Sequence, residues 1–227
     1  FLAFANDNKG EDLFGKCTLW LCTCRSLSFY LSSLNAESTF RQIKLQPLYN
    51  GNIVPCILKT TAEEVIIETR HGEIRFCIGE RSMAMARGTE GLGLRVTPKP
   101  KLFSSGITDL MDKDNRYLLD FFLTRILLTP LSGTLHPGAG YIDILPDDKG
   151  VMAAAFEDFT TDPDKRPLGD YPSYEACVQS VREEFGAFCE SVMPSLPGEF
   201  EEVRLQSLWQ TWSMMVEPDG ESDYKRT

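Results

Sequence analysis

The chain has 227 residues, enough to bury a substantial apolar core as one large domain or two small ones. Hydrophobic residues make up 42% and charged residues 25%, proportions that exclude wholesale disorder and fibrous repeats. With 23 Lys and Arg against 33 Asp and Glu, the acidic balance argues against nucleic acid as a partner, and no apolar run approaches the ~18 residues of a membrane span.

Phe1 stands where a start Met would be, and the chain stops at Thr227 without a terminal signal, so both ends read as cut. Phe1 to Ala5 is too short for a secretory h-region. Seven cysteines, at 17, 22, 24, 56, 77, 177 and 189, form an odd set scattered through apolar segments. That pattern points to reduced thiols and a cytoplasmic, soluble protein rather than a disulfide framework.

Up to about Phe159 the sequence alternates with period two between turn residues, which predicts β structure. Val65 to Arg70 and Glu73 to Ile78 flank His71-Gly72, and a turn there pairs Arg70 with Glu73 and Glu68 with Arg75. Ile67, Phe76, Val65 and Ile78 then share one face. A second hairpin is expected from Met83–Arg87 and Leu92–Val96 around Gly88-Thr89-Glu90-Gly91. Tyr117 to Leu131 is apolar enough for a helix of three or four turns or a pair of buried strands; its aromatic and β-branched residues favour the strands, and Val151 to Phe156 supplies another. From Glu157 the composition shifts to Asp, Thr, Pro and Gly, a linker in character.

Beyond Pro172 the period becomes 3.6. Tyr174, Cys177, Val178, Val181, Phe185, Phe188, Cys189 and Val192 make one stripe behind a Ser173 cap. A second helix runs from near Pro197 through Phe200, Val203, Leu208, Trp212, Met215 and Val216, with Glu199, Glu201 and Glu202 at its positive end. Together they form an antiparallel helical hairpin. The expected organisation is therefore a β-sandwich domain over 1–159, a linker over 160–172 and a helical hairpin over 173–227.

Several motifs could carry chemistry. Cys17-x4-Cys22-x-Cys24 lacks the second ligand pair of a zinc site and reads as strand residues. His71 sits in a turn and His136 in a His-Pro-Gly-Ala-Gly loop, so histidine chemistry is poorly supplied. The segment from Gly88 to Gly93 carries Glu90 and no following Lys, unlike a phosphate loop. Asp143, Asp147, Asp148 and Lys149 lack the alternation of a calcium loop and read as a solvated turn. Asp158, Asp162, Asp164 and Asp170 belong to a solvated linker, which gives no desolvation to tune an acid or base. Trp209 and Trp212, three apart on one helix, are core residues before they are a sugar platform. No catalytic, cofactor-binding or metal-ligating residue is assigned, and no cofactor is expected.

The run Arg204 to Ser213, with Val216-Glu217-Pro218-Asp219-Gly220, is similar to a Trp-Ser, Val-x-Pro-x-Gly pattern at an early helix of α/α-toroid glycoside hydrolases. Phe185-x2-Phe188 and the run Ile74 to Val96 add to the likeness, which covers roughly residues 45 to 220. The chain resembles the N-terminal part of family 63-like, trehalase-like and mannosylglycerate hydrolase-like enzymes. In these a β-sandwich precedes a six-hairpin toroid, and two carboxyl groups in the toroid cleave the glycosidic bond with inversion. Twelve helices of about 11 residues with connections of about 5 need roughly 190 residues, more than Ser173 to Thr227 supplies. The resemblance thus implies a non-catalytic region whose carbohydrate substrate is met through a longer protein. The alternative is a stand-alone β-sandwich module that binds carbohydrate or protein.

Overall fold

The computed structural model describes residues 18–23, 27–32, 43–79, 83–98, 106–108, 115–121, 124–159 and 166–214. The protein is mainly β, with two antiparallel sheets and, among the described residues, two α-helices. The strands are β1 (Thr18–Thr23), β2 (Leu27–Ser32), β3 (Ile43–Tyr49), β4 (Asn52–Ile53), β5 (Cys56–Thr60), β6 (Glu64–Thr69), β7 (Gly72–Gly79) and β8 (Met83–Gly88). They continue with β9 (Leu92–Pro98), β10 (Gly106–Thr108), β11 (Tyr117–Phe121), β12 (Thr124–Ser132), β13 (Thr134–Gly138), β14 (Tyr141–Leu145) and β15 (Met152–Asp158). One sheet has the order β13-β14-β9-β3-β1-β2, with β4 paired to β3, and the other β10-β11-β12-β15-β8-β7-β6-β5.

Strand alternation decides which side chains the sheets share. Leu45, Leu94, Val96, Ile142 and Ile144 of the first sheet and Val65, Ile67, Ile74, Phe76, Leu119, Ile126 and Phe156 of the second enter one buried cluster. Their intervening neighbours turn outward. On the second sheet these outward residues include Cys77, Met83, Met85 and Ala155, which are nevertheless buried because helix α1 (Tyr174–Val192) lies on them. Burying the side chains of Met83 and Met85 is worth about 1.5–3 kcal/mol each against exposure.

The predicted β6–β7 hairpin forms with its register moved by two residues. Thr69 faces Gly72 and Glu68 faces Glu73, so the turn is Arg70-His71 and the expected Arg70/Glu73 and Glu68/Arg75 pairs are not made. A two-residue shift keeps every side chain on its face, so the apolar pattern is indifferent to it. Thr69 decides the turn: its Oγ1 donates to the Gly72 carbonyl at 2.9 Å and accepts from the His71 N–H at 3.0 Å.

A second correction concerns β8 and β9, which are strands as expected but not a hairpin. β8 pairs with β7 and β15, whereas β9 pairs with β3 and β14, so the chain crosses between sheets here. Glu90 (φ +59°) and Gly91 (φ +79°) make the corner, fastened by Gly91 N–H to the Gly150 carbonyl at 3.0 Å. Gly133 (φ +90°) makes the crossing from β12 to β13. His136 and Pro137 lie in the edge strand β13, not in a loop. An edge can hold Pro because its missing N–H can face solvent.

The buried strand pair expected over 117–131 is β11 with β12, and the strand at 151–156 is β15. Of the linker, residues 160–165 lie outside the described set. Residues 166–172 include a single 3-10 turn, Leu168–Asp170, and are tied to the sheet. Arg166 pairs with Glu157, the Tyr171 hydroxyl donates to Glu157, and Tyr171 Oη shares a 3.1 Å hydrogen bond with Thr129 Oγ1.

Ser173 caps α1, its Oγ accepting from the Ala176 N–H at 3.1 Å. The apolar stripe of α1 divides its work. Tyr174, Cys177 and Val181 seal the sheet, while Phe185 and Cys189 meet Leu208 of helix α2 (Phe200–Met214). The packed side of α2 includes Arg204, which is buried and holds Glu201 at 2.6 Å and the Met193 carbonyl at 2.8 Å. Phe200 and Val203, placed in the apolar run of the sequence, are instead 58% and 61% exposed. Met215, Val216 and the Val-Glu-Pro-Asp-Gly segment lie outside the described residues.

Candidate functional site

An open groove of about 740 Å³ runs between the β6–β8 side of the larger sheet and the first turns of α1. Its residues reach the same place by two routes. Glu64, Glu73, Arg75 and Arg87 lie on strands β6 to β8, whereas Tyr174, Glu175 and Arg182 come from the helix.

Arg75 sits between two carboxylates, with Nη1 3.1 Å from Glu64 Oε2 and Nη2 2.7 Å from Glu73 Oε2. The Tyr174 hydroxyl donates to Glu64 Oε1 at 2.9 Å, joining helix to sheet. Burial, and then the neighbouring Glu64 charge, pushes the Tyr174 phenol well above its ordinary value, so it stays a donor throughout the neutral range. Arg87 pairs with Glu175, a further sheet-to-helix link, and Arg182 Nε lies 3.1 Å from Oε1 of Glu63 in the β5–β6 turn.

The carboxylates Glu64, Glu73 and Glu175 are thus each held by an arginine. Held so, each carboxylate accepts hydrogen bonds from its guanidinium. The lining holds five glutamates, Glu64, Glu68, Glu73, Glu90 and Glu175, against three arginines, Arg75, Arg87 and Arg182, so it offers acceptors and donors with an acidic excess. Such a wall disfavours a phosphate and leaves hydrogen-bonding groups for a hydroxylated ligand.

Of the segments that could carry chemistry, that from Gly88 to Gly93 reaches this groove, through Thr89 and Glu90, and the other described residues lie elsewhere. The His71 ring stacks on Tyr49 with centroids 3.9 Å apart, and His136 exchanges a 2.9 Å hydrogen bond with Thr134. Asp143 belongs to β14, where Arg95 grips it with bonds of 2.6 and 2.7 Å, and so is not part of a solvated turn. Asp147 organises its turn: Oδ1 accepts from the N–H groups of Lys149 and Val151, and Oδ2 accepts from the Ser132 hydroxyl at 2.6 Å. These bonds, that from Ser132 first, draw the Asp147 carboxyl below its ordinary value. Asp148 and Lys149 are exposed, as a solvated turn requires.

Asp158 belongs to β15 and Asp170 to the 3-10 turn; Asp162 and Asp164 lie outside the described residues. Trp209 and Trp212 are half-buried and pack against the cluster of Phe185, Cys189 and Leu208, and Trp209 Nε1 donates to the Ala62 carbonyl at 3.0 Å, so both serve packing between the helices. Cys22 lies in β1; Cys17 and Cys24 are outside the described residues. Among the described residues no three His, Cys, Asp or Glu side chains are grouped to hold a metal ion. No described helix is long and apolar enough to cross a membrane.

Sequence reasoning missed Glu64, Arg75, Arg87 and Glu175. Each reads along the chain as one surface charge, and only the pairing of β6 with β7 and β8 and the landing of α1 bring them together. Comparison with known proteins adds no assignment: no family profile and no curated protein matches the chain.

Proposed function

We propose that this chain is the N-terminal, non-catalytic β-sandwich region of a glycoside hydrolase, with α1 and α2 as the opening hairpin of an α/α toroid. The observation that carries the reading is the two-sided character of α2. Leu208 and Trp212 pack toward α1, while Phe200 and Val203, turned away from Trp212 around the helix, are exposed. A helix apolar on two sides fits a ring in which each helix has a neighbour on either hand. Two sheets sharing one core support the sandwich part of the proposal. The buried thiols Cys56, Cys77, Cys177 and Cys189 support a cytoplasmic location.

The test is made on the native protein. An antibody against the helical hairpin is used to precipitate it from source cells, its peptides are mapped, and the precipitate is assayed on aryl glycosides. Helical sequence continuing past Thr227 together with glycoside hydrolysis is expected. A native protein that ends at Thr227 and hydrolyses none of the glycosides overturns the proposal.

The groove favours a second reading, a carbohydrate-binding module without catalysis. Trp209 is anchored to Ala62, next to Glu63 and its partner Arg182, so its fluorescence should report occupancy of the groove. A saturable change with an oligosaccharide series supports this reading, and a flat titration removes it.

A further inference from the structure

Cys77 of β7 and Cys177 of α1 are separated by 100 positions in the chain, yet their sulfurs are 3.4 Å apart and share a hydrogen bond. Both are thiols, Cys77 fully buried and Cys177 3% exposed. Tyr174, Val181, Met83, Met85 and Ala155 enclose them in an apolar layer between helix and sheet. Gly79 keeps the space open: a Cβ there would stand 2.6 Å from Cys177 Sγ. The missing side chain lets the Cys177 sulfur settle against Cys77. A disulfide needs a sulfur separation of about 2 Å, which a small movement of α1 toward the sheet supplies.

We propose that Cys77 and Cys177 form a two-electron thiol–disulfide couple, oxidised by hydrogen peroxide, that fastens α1 covalently to the larger sheet. Cys177 is the more exposed of the two and reacts first. Its thiolate sulfur bonds to one peroxide oxygen, the O–O bond breaks, and the departing hydroxide takes up the thiol proton to leave water and a sulfenic acid. Cys77 Sγ then bonds to that sulfur, the S–O bond breaks, and the hydroxyl leaves with the Cys77 proton as a second water. Two thiols are oxidised to one disulfide and the two peroxide oxygens are reduced. The hydrogen bond with Cys177, and then burial, pushes the Cys77 thiol up, which makes it a slow attacker of peroxide; its later bond to the Cys177 sulfur rests on the 3.4 Å contact that holds the two sulfurs together. In a reducing cytoplasm the pair rests as thiols. Under peroxide it locks the helical hairpin in place, and the apolar layer shields the bond from bulky reductants.

The experiment treats the purified full chain with hydrogen peroxide, removes the excess with catalase, alkylates under denaturing conditions and maps the peptides. A cross-linked peptide joining Cys77 to Cys177, lighter by two hydrogens than the sum of its thiol parts, is expected, while Cys56 and Cys189 remain alkylatable. Closing a loop of this length should raise the melting temperature by roughly 5–10 °C, and dithiothreitol should reverse the rise. Cys177→Ser should abolish both signals. Recovery of Cys77 and Cys177 as alkylated or separately oxidised residues, or a melting shift that survives in Cys177→Ser, overturns the proposal. The peptide map uses unsubstituted protein, so it decides the matter even if the variant fails to fold.

Discussion

Ser173 closes the start of α1 through one side-chain bond, accepted by its Oγ from the Ala176 N–H. Ser173→Ala should therefore cost about 1 kcal/mol, read as a lower urea midpoint with an unchanged slope. Glu201 makes a sharper test because its effect depends on pH. Arg204, and then the Leu196 N–H, pull its carboxyl from the ordinary 4.5 down to about 2. A depressed carboxylate pKa contributes stability that is present above the unfolded value and lost as pH falls through the folded one. The thermal midpoint of the parent should thus exceed that of Glu201→Gln near pH 7, with the gap closing between about pH 4.5 and pH 2. A constant gap across that window would show that Arg204 is not the cause.

At the scale of elements, the crossings between sheets carry the strictest local requirements. Gly133 has φ +90°, and a Cβ there would lie 2.1 Å from the Leu145 carbonyl oxygen. Gly133→Ala should lose about 1–3 kcal/mol from backbone strain alone, and more from the collision, measured by denaturant unfolding. Such positions also explain what the sequence could and could not disclose. The 3.6 period and the Ser173 cap made α1 legible, because both signals are local. The β6–β7 register was not, since a slip of two residues leaves Val65, Ile67 and Phe76 on the core face and only the bonds of Thr69 choose between the alternatives. The turn after β8 was misjudged for a related reason. Glycines permit both a hairpin and a corner, and what selects the corner is the arrival of β3 beside β9 and β15 beside β8. Arg204 escaped notice in α2 because a guanidinium looks like surface until Glu201 and the Met193 carbonyl are placed against it. The groove was illegible altogether, for its charges come from separate elements.

The whole molecule has an apolar edge where the helices turn. Val192, Met193, Leu196, Phe200 and Val203 are between 39% and 61% exposed and lie around one end of the hairpin. Replacing Phe200 and Val203 together by Ser should leave stability within about 0.5 kcal/mol per site, as for other exposed positions. Self-association in sedimentation and binding of an apolar dye should both fall. Unchanged association would place the sticky surface elsewhere.

The position of β15 has a consequence for how the chain must be made. It is the last strand in sequence among the described residues, yet it lies inside the larger sheet between β12 and β8. During synthesis from the N-terminus, β5–β8 and β10–β12 emerge as two separate half-sheets, each with an open edge awaiting the same segment. Ala153, Ala154 and Ala155 give that segment a narrow profile for entering the gap. Until Met152 to Asp158 has left the ribosome, those two edges can template pairing with another nascent chain. The vulnerable interval in the life of this protein is therefore the time needed to translate from Met83 to Asp158, and a ribosome stalled within it would release an aggregation-prone product.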